Sequence, residues 1–373
     1  MIDQVSEYLQ QRIDAGDFPS AVYLAAEKGE IVLHRAVGLA VAEPARIEAR
    51  TDMIYDLASL TKPLVTGLLT AMLIERGSIA LDQRVATLLN EFEVDGKRTI
   101  TVQDLATHTS GLAAWRPFYL TCADPDGVLA DIAATALELG GDTVTYSDLN
   151  FITLAAIIEG FWEKPLDEIA REMIFRPLGL KDTFFNPPSA LKHRIAASEK
   201  GNEYERQTCI EKGHLRPESS FIDPHFRTEI IWGDVHDNNA HFMKGVAGHA
   251  GLFATAKDAL ALALQFLPEH SGLLKPETCA LFSANYTKGQ NEDRSLSFQL
   301  ASTDGSSAGD SISPNSFGHN GFTGTSLWID PESDRVYILL TNRTHAHPLP
   351  FVNINSVRRH FHGLAASFID ADC

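Results

Sequence analysis

The sequence predicts an α/β chain of the α+β type: one antiparallel sheet built from both chain ends, flanked by helices, with a mostly helical lobe inserted between. Three observations predict it. β-prone runs punctuated by glycine sit near the two ends, at 21–26 and 31–38, then at 317–330 and 335–342. The stretch between them, about 60–260, is rich in apolar residues at helical spacing. Each end also carries a helix-like segment, at 3–16 and about 352–368, placed to cover the sheet. A sheet can be completed by returning chain, so the reading is a single domain over 1–373. Its sheet sublobe is about 1–58 plus 250–373, and its helical sublobe is 59–249.

The elements follow in order. The first helix ends near Gly16, and the runs 21–26 and 31–38 flank the polar turn Glu27-Lys28-Gly29-Glu30, a hairpin signature. Leu64, Val65, Leu68, Leu69, Met72 and Leu73 give a buried helix from Ser59 to about Arg76, stopped by Gly77. A short helical stretch is expected over 81–89. Thr101-Val102-Gln103-Asp104 reads as a capping box opening a short helix, and Thr255-Ala256-Lys257-Asp258 as another helix start. Further helices are expected at 127–139, at 151–163 and ending at 171–175. Residues 181–245 and 286–316 read as irregular, loop-forming stretches.

Composition narrows the function. The formal charge of −18 repels phosphate backbones, so nucleic acid is not an expected partner. No run approaches the ~20 apolar residues of a membrane span, so no membrane association is expected. The first residues lack a basic-then-apolar leader, which with a native Met1 reads as cytoplasmic. Cys122, Cys209, Cys279 and Cys373 are far apart without Cys-x-x-Cys spacing, and read as free thiols. Nothing in the sequence selects an oligomeric state.

The chemistry is placed at Ser59-Leu60-Thr61-Lys62. Serine and lysine three apart share one helix face, and a lysine can help remove the serine proton. Unpaired backbone N–H groups at a helix start can hold an oxyanion. Two further stretches could join this pair. Tyr146-Ser147-Asp148 precedes a helix, where a tyrosine near an ammonium can act as base and acid. His319-Asn320-Gly321-Phe322 starts a C-terminal strand, where Gly321 permits close approach of a substrate and the Phe322 N–H can serve as second oxyanion donor beside that of Ser59.

With these three motifs in this order, the chain resembles the serine β-lactamase and penicillin-binding protein superfamily, in its class C-like branch of esterases and D-amino-acid peptidases. Thr107-His108-Thr109-Ser110-Gly111-Leu112, Gly248-His249-Ala250-Gly251-Leu252-Phe253-Ala254-Thr255 and the segment 321–331 add to the likeness, which covers about 5–365. The resemblance implies a β-lactamase/transpeptidase-like fold, acylation of Ser59 by a small-molecule or peptide-like acyl substrate, proton sharing by Lys62 and Tyr146, and no cofactor. It also implies substrate contacts from Asp148, His319, Asn320 and Gly321. Two departures matter. Asp148 stands where class C β-lactamases carry asparagine, so it cannot donate to a substrate carbonyl and instead keeps Lys62 charged. His319 replaces a lysine and removes a fixed positive charge. Both rank a general ester or amide hydrolase first, a D-amino-acid peptidase second and an efficient β-lactamase third.

Two readings of other kinds stand beside it: a non-catalytic ligand sensor of the same fold, and a metal-dependent hydrolase built on the 232–241 loop with Asp234, His236, Asp237 and His241. That loop lacks His-Glu-x-x-His spacing and reads as a polar rim of the pocket, with no metal. His345 and His347 are expected to be exposed.

Overall fold

A computed structural model describes residues 3–138, 143–216 and 224–372. Residues 1–2, 139–142, 217–223 (part of the irregular 181–245 stretch) and Cys373 lie outside the described residues, and the helix expected at 127–139 already ends at Ala134, as Val128–Ala134.

Among the described residues, ten strands form two sheets: β1 (Ser20–Glu27), β2 (Glu30–Val41), β3 (Ile47–Glu48), β4 (Tyr55–Asp56), β5 (Thr183–Phe185), β6 (Leu252–Ala254), β7 (Gln299–Leu300), β8 (Phe317–Asn320), β9 (Ser326–Asp330) and β10 (Arg335–Thr341). The larger sheet runs β3-β2-β1-β10-β9-β8-β7, with both chain ends meeting at its centre. There β1 and β10 pair antiparallel from Ala21 opposite Thr341 to Glu27 opposite Arg335. This is the sheet expected from the sequence.

Alternation explains why both faces of this sheet are buried. Val22, Leu24 and Ala26 of β1, with Val336, Ile338 and Leu340 of β10, join the core shared with the helical lobe. Ala21, Tyr23 and Ala25, with Tyr337 and Leu339, face the other way. They pack on Val5 and Leu9 of the first helix (Gln4–Asp14) and on Phe361, Ala365 and Ile369 of the last (Asn355–Asp372). Each fully buried large apolar side chain contributes about 1.5–3 kcal/mol.

The smaller sheet, β4-β6-β5, has strands of two or three residues. Such short runs carry no periodicity, and the sequence did not disclose them. Their function is positional. Asp56 ends β4 three residues before Ser59, opposite Phe253 of β6.

Several helix expectations need correction. The segment from Ser59 is not one α-helix: Ala58–Leu60 is a 3₁₀ turn, Lys62–Gly67 a π-helical turn, and only Leu68–Glu75 is α-helical. Pro63, at N1/N2 of the π turn, has no N–H to donate, which a helix's first turn tolerates, so the proline does not by itself account for the π turn. The 81–89 stretch contracts to a 3₁₀ turn, Val85–Thr87. The helix expected at 151–163 starts earlier, at Asp148. Both caps form: Thr101 and Asp104 close a reciprocal capping box, and Thr255 accepts from the Asp258 N–H. His345 is buried, contrary to expectation, and its two ring nitrogens meet the Ala42 N–H at 2.9 Å and the Ser198 carbonyl at 2.8 Å. It joins the end of β2 to the 196–198 segment. Among the described residues, Cys122 and Cys279 are free thiols, Cys209 is buried, and no helix is long and apolar enough to cross a membrane.

Candidate active site

Ser59 is held from both sides in sequence. Ala58 adopts φ +48°, a left-handed conformation that costs a non-glycine residue about 1–2 kcal/mol. The conformation is fixed by its N–H donating to Asp56 Oδ1 (2.8 Å) and its carbonyl accepting from Thr61 Oγ1 (2.7 Å). The turn after β8 is tied to the same stretch. Thr323 Oγ1 donates to the Asp56 carbonyl (2.8 Å) and Thr325 Oγ1 to the Leu57 carbonyl (3.0 Å). Gly321 lies where this packing is tightest: a Cβ there would stand 2.0 Å from Thr325 Oγ1 and 2.6 Å from the Leu57 carbonyl oxygen. Phe322, the expected second oxyanion donor, is thereby brought to the cavity that Ser59 lines.

Lys62 is completely buried. Its Nζ donates to Ser59 Oγ (2.9 Å) and to the His249 carbonyl (3.1 Å), and pairs with Asp148 Oδ1 (2.7 Å). Burial alone would strip its charge, but the Asp148 carboxylate and Tyr146 outweigh burial and hold its pKa above the ordinary lysine value. Asp148 is the first residue of its helix, with its N–H on the Ala114 carbonyl (2.9 Å). The ammonium lies 4.9 Å from the centre of the Tyr146 ring. Thus Ser59, Lys62, Tyr146 and Asp148 converge.

Two histidines sandwich Tyr146, His108 at 4.6 Å and His319 at 5.7 Å between ring centroids. Burial, reinforced by the Lys62 and Arg294 cations, holds both well below the ordinary histidine pKa, so both are neutral at pH 7. The Ser147 N–H donates to His108 Nδ1 (3.0 Å), which places that proton on Nε2. His319 Nδ1 donates to the Asn320 carbonyl (2.9 Å), leaving Nε2 a buried, unpaired acceptor. Asn320 also lines the cavity and exchanges hydrogen bonds with Ser307.

The cavity measures about 650 Å³. His236 and Asp237 of the 232–241 loop, expected at the pocket rim, line it, and its walls also include Tyr204, Glu205, Arg294, Arg343, Asn355 and Arg358, which were not expected. Arg294 pairs with Glu292 and stacks its guanidinium 5.5 Å from the Tyr146 ring centre. Arg358 is buried and donates to Asn355 Oδ1 (2.7 Å) and to the Gly321 and Thr325 carbonyls. Its Nε is unpaired, and burial together with Arg343 pushes its pKa down to about 9. Arg343 donates to the Phe322 and Val352 carbonyls. Among the described residues, neither arginine has a carboxylate partner. The spacing of Asn355 and Arg358, three apart at a helix start, was the one available sequence signal. Uncompensated charge, however, is a tertiary property.

The 232–241 loop disperses its polar residues. Asp234 pairs with Arg227 and His241, His236 with Glu199, and Asp237 with His249. Asp148, Asp237 and His249 bring ligand-type atoms within 4.8 Å of one another, but the Lys62 ammonium already contacts Asp148 there. A resident cation fills the electrostatic role that a metal would take.

Comparison with known proteins agrees with this architecture. The Beta-lactamase family model matches residues 5–358. A protein of Escherichia coli K12, provisionally named D-alanyl-D-alanine carboxypeptidase, is 32% identical over 92% of this chain and 83% of its own length. Among solved structures, a penicillin-binding protein homologue from Caulobacter crescentus superposes with a TM-score of 0.72 at 22% identity, covering 97% of this chain and 96% of its own. A class C β-lactamase from Rhodobacter sphaeroides gives 0.70 at 20%, covering 98% and 99%. The family match over nearly the whole length, on a fold with these neighbours, makes the chain a member of the beta-lactamase family and a serine hydrolase of the β-lactamase and penicillin-binding protein superfamily.

Proposed function

We propose that the protein cleaves an amide or ester next to a free carboxylate, as a D-alanyl-D-alanine carboxypeptidase does, through an acyl-enzyme on Ser59. The observation that carries the chemistry is the buried Lys62 ammonium, 2.9 Å from Ser59 Oγ and fixed by Asp148. A charged lysine donates to Oγ and cannot accept its proton. Tyr146, beside the ammonium, takes the proton as Oγ attacks the substrate carbonyl, and then delivers it to the leaving group. The Ser59 and Phe322 N–H groups receive the developing oxyanion. Water then releases the acyl group.

Substrate choice follows from Arg343 and Arg358, two cations in the cavity wall that have no carboxylate partner among the described residues and suit a substrate carboxylate. The relatives' name favours the same end group. This moves the peptidase reading ahead of the general esterase. Asp148, an acceptor only, leaves β-lactam turnover poor, so nitrocefin should be a weak substrate.

A fluorophosphonate probe tests the chemistry. We expect one adduct on Ser59, absent in Ser59→Ala; no adduct in the wild type would overturn the enzyme reading and leave the ligand sensor. Peptides ending in D-alanyl-D-alanine, compared with their C-terminal amides, test the substrate. The free acid should be preferred and Arg358→Met should abolish the preference; equal use of both by the wild type would restore the esterase reading.

A further inference from the structure

Release of an acyl-enzyme needs a base for water, and the buried polar groups around Ser59 differ in their fitness for that task. Lys62 is excluded by its charge. His108 and His319 have no carboxylate partner among the described residues, so an imidazolium formed at either would stand buried and uncompensated beside Lys62. His249 has Asp237 at 3.1 Å but is not part of the cavity wall. His236 alone among these combines both requirements. It lines the cavity, and its Nε2 lies 2.7 Å from Glu199 Oε2. Both side chains are almost fully buried.

The position is built, not incidental. One buried carboxylate, Asp56, accepts the His236 N–H on Oδ2 (2.7 Å) and the Ala58 N–H on Oδ1 (2.8 Å). His236 is thus anchored within one carboxylate's span of the residue preceding the nucleophile. Its ring stacks on that of Phe322, with centroids 5.4 Å apart and planes 24° apart. Glu199 is itself fixed, its Oε1 accepting the Tyr204 N–H at 2.9 Å. With Nε2–H donated to Glu199, the lone pair of the ring lies on Nδ1. An imidazole oriented by a buried carboxylate, with its other nitrogen available, is the arrangement that general-base catalysis uses on unrelated folds.

We propose that His236, oriented by Glu199, is the general base that activates the deacylating water. Its Nδ1 takes a proton from water while the water oxygen bonds to the acyl carbon. The carbonyl electron pair moves to the oxyanion held by the Ser59 and Phe322 N–H groups. Collapse of that intermediate breaks the bond from carbon to Ser59 Oγ, and Oγ takes up the proton that His236 removed, relayed by water across the cavity, which leaves His236 neutral. The product acid gives its remaining proton to bulk water and leaves as a carboxylate. Glu199 acts through His236 and is a positioning residue.

This inference rests on the Ser59 acyl-enzyme, and the test separates the two. With a p-nitrophenyl ester, the wild type and His236→Gln should both release a burst of about one p-nitrophenol per active site. The slow phase after the burst should fall in the variant by about 100-fold, the lower range for general-base catalysis. Intact-protein mass spectrometry should then show the acyl group accumulating on Ser59. Hydroxylamine, a nucleophile that needs no base, should restore turnover. Glu199→Gln should lose turnover in the same phase and respond to hydroxylamine, which serves as a second reading if His236→Gln folds poorly. An unchanged slow phase in His236→Gln would overturn the inference and return the step to Tyr146. A parallel loss of burst and slow phase, without adduct or rescue, would also overturn it, in favour of a structural role. Absence of burst and adduct in the wild type would instead reject the acyl-enzyme itself.

Discussion

Lys62 keeps its charge because Asp148 outweighs the cost of burying an ammonium, and Asp148→Asn isolates that contribution. The wild-type lysine pKa is raised, so its ammonium persists further into the alkaline range than a free lysine's would. Without the carboxylate, burial dominates and the pKa falls. The alkaline limb of the acylation rate should therefore move to lower pH in Asp148→Asn, read from burst rates across a pH series. Lys62→Met should lower acylation by about 100-fold or more at every pH, because the hydrogen bond to Ser59 Oγ is gone. At this scale much of the site was legible. Ser59, Tyr146, Asp148, His319, Asn320, Gly321 and Phe322 all line one cavity, and Lys62 sits directly behind the serine. Local spacing carried those residues. The sequence marked His236 only as part of a polar loop expected at the pocket rim, and Arg358 only by its spacing from Asn355; their character, like that of Arg343, comes from a missing or distant partner: Glu199 is 37 positions from His236.

At the scale of elements, the site depends on how closely the turn after β8 approaches the 56–59 stretch. Gly321→Ala tests that approach. The added methyl would meet Thr325 Oγ1 and the Leu57 carbonyl, the two atoms of the hydrogen bond that joins these elements. Such overpacking costs about 1–3 kcal/mol, so the melting temperature should drop. The burst rate should fall more steeply than stability, since a shift of about 1 Å in positioning can cost 100-fold in rate. A variant with wild-type burst kinetics would show that the turn does not set the geometry. Sequence periodicity gave a straight helix after Ser59, and the broken 3₁₀, π and α succession could not be read from it. Pro63 was visible, but the left-handed Ala58 is held by Asp56 and Thr61, residues that are themselves tied to β6.

At the scale of the whole molecule, burial sets a pH dependence. His362 lies between the sheet and the last helix, with Nδ1 on the Ala308 carbonyl at 2.9 Å, and burial pushes its pKa down to about 4. Its folded value lies below the ordinary 6.5, so the unfolded chain takes up the proton first as pH falls. Its stabilising effect is complete above about pH 6.5 and drains away toward pH 4, amounting to about 3 kcal/mol. His108 and His319 have the same sign, while Glu205, raised to about 8 by burial and Asp237, has the opposite one. A comparison with His362→Asn cancels those background groups. The wild type should lose melting temperature faster than the variant between pH 7 and 4, and parallel curves would reject the assignment. The large sheet was legible at this scale because β1, β2 and β10 are β-prone runs of 7–12 residues, of which β1 and β10 are buried on both faces. The β4-β6-β5 sheet was not, because its pairing depends on chain segments about 70–200 residues apart.

The meeting of β1 with β10 has a consequence for how the protein comes into being. On the ribosome, Ser59 emerges about 260 residues before Phe322, and β9 and β10 follow later still. At about 5–20 residues per second, the nucleophile waits on the order of 10–50 seconds for its strand partner. Throughout that interval the proposed nucleophile lacks both the Phe322 N–H and the wall bearing Arg343 and Arg358, so the cavity proposed for the acyl substrate can close around Ser59 only after Arg358 has been made.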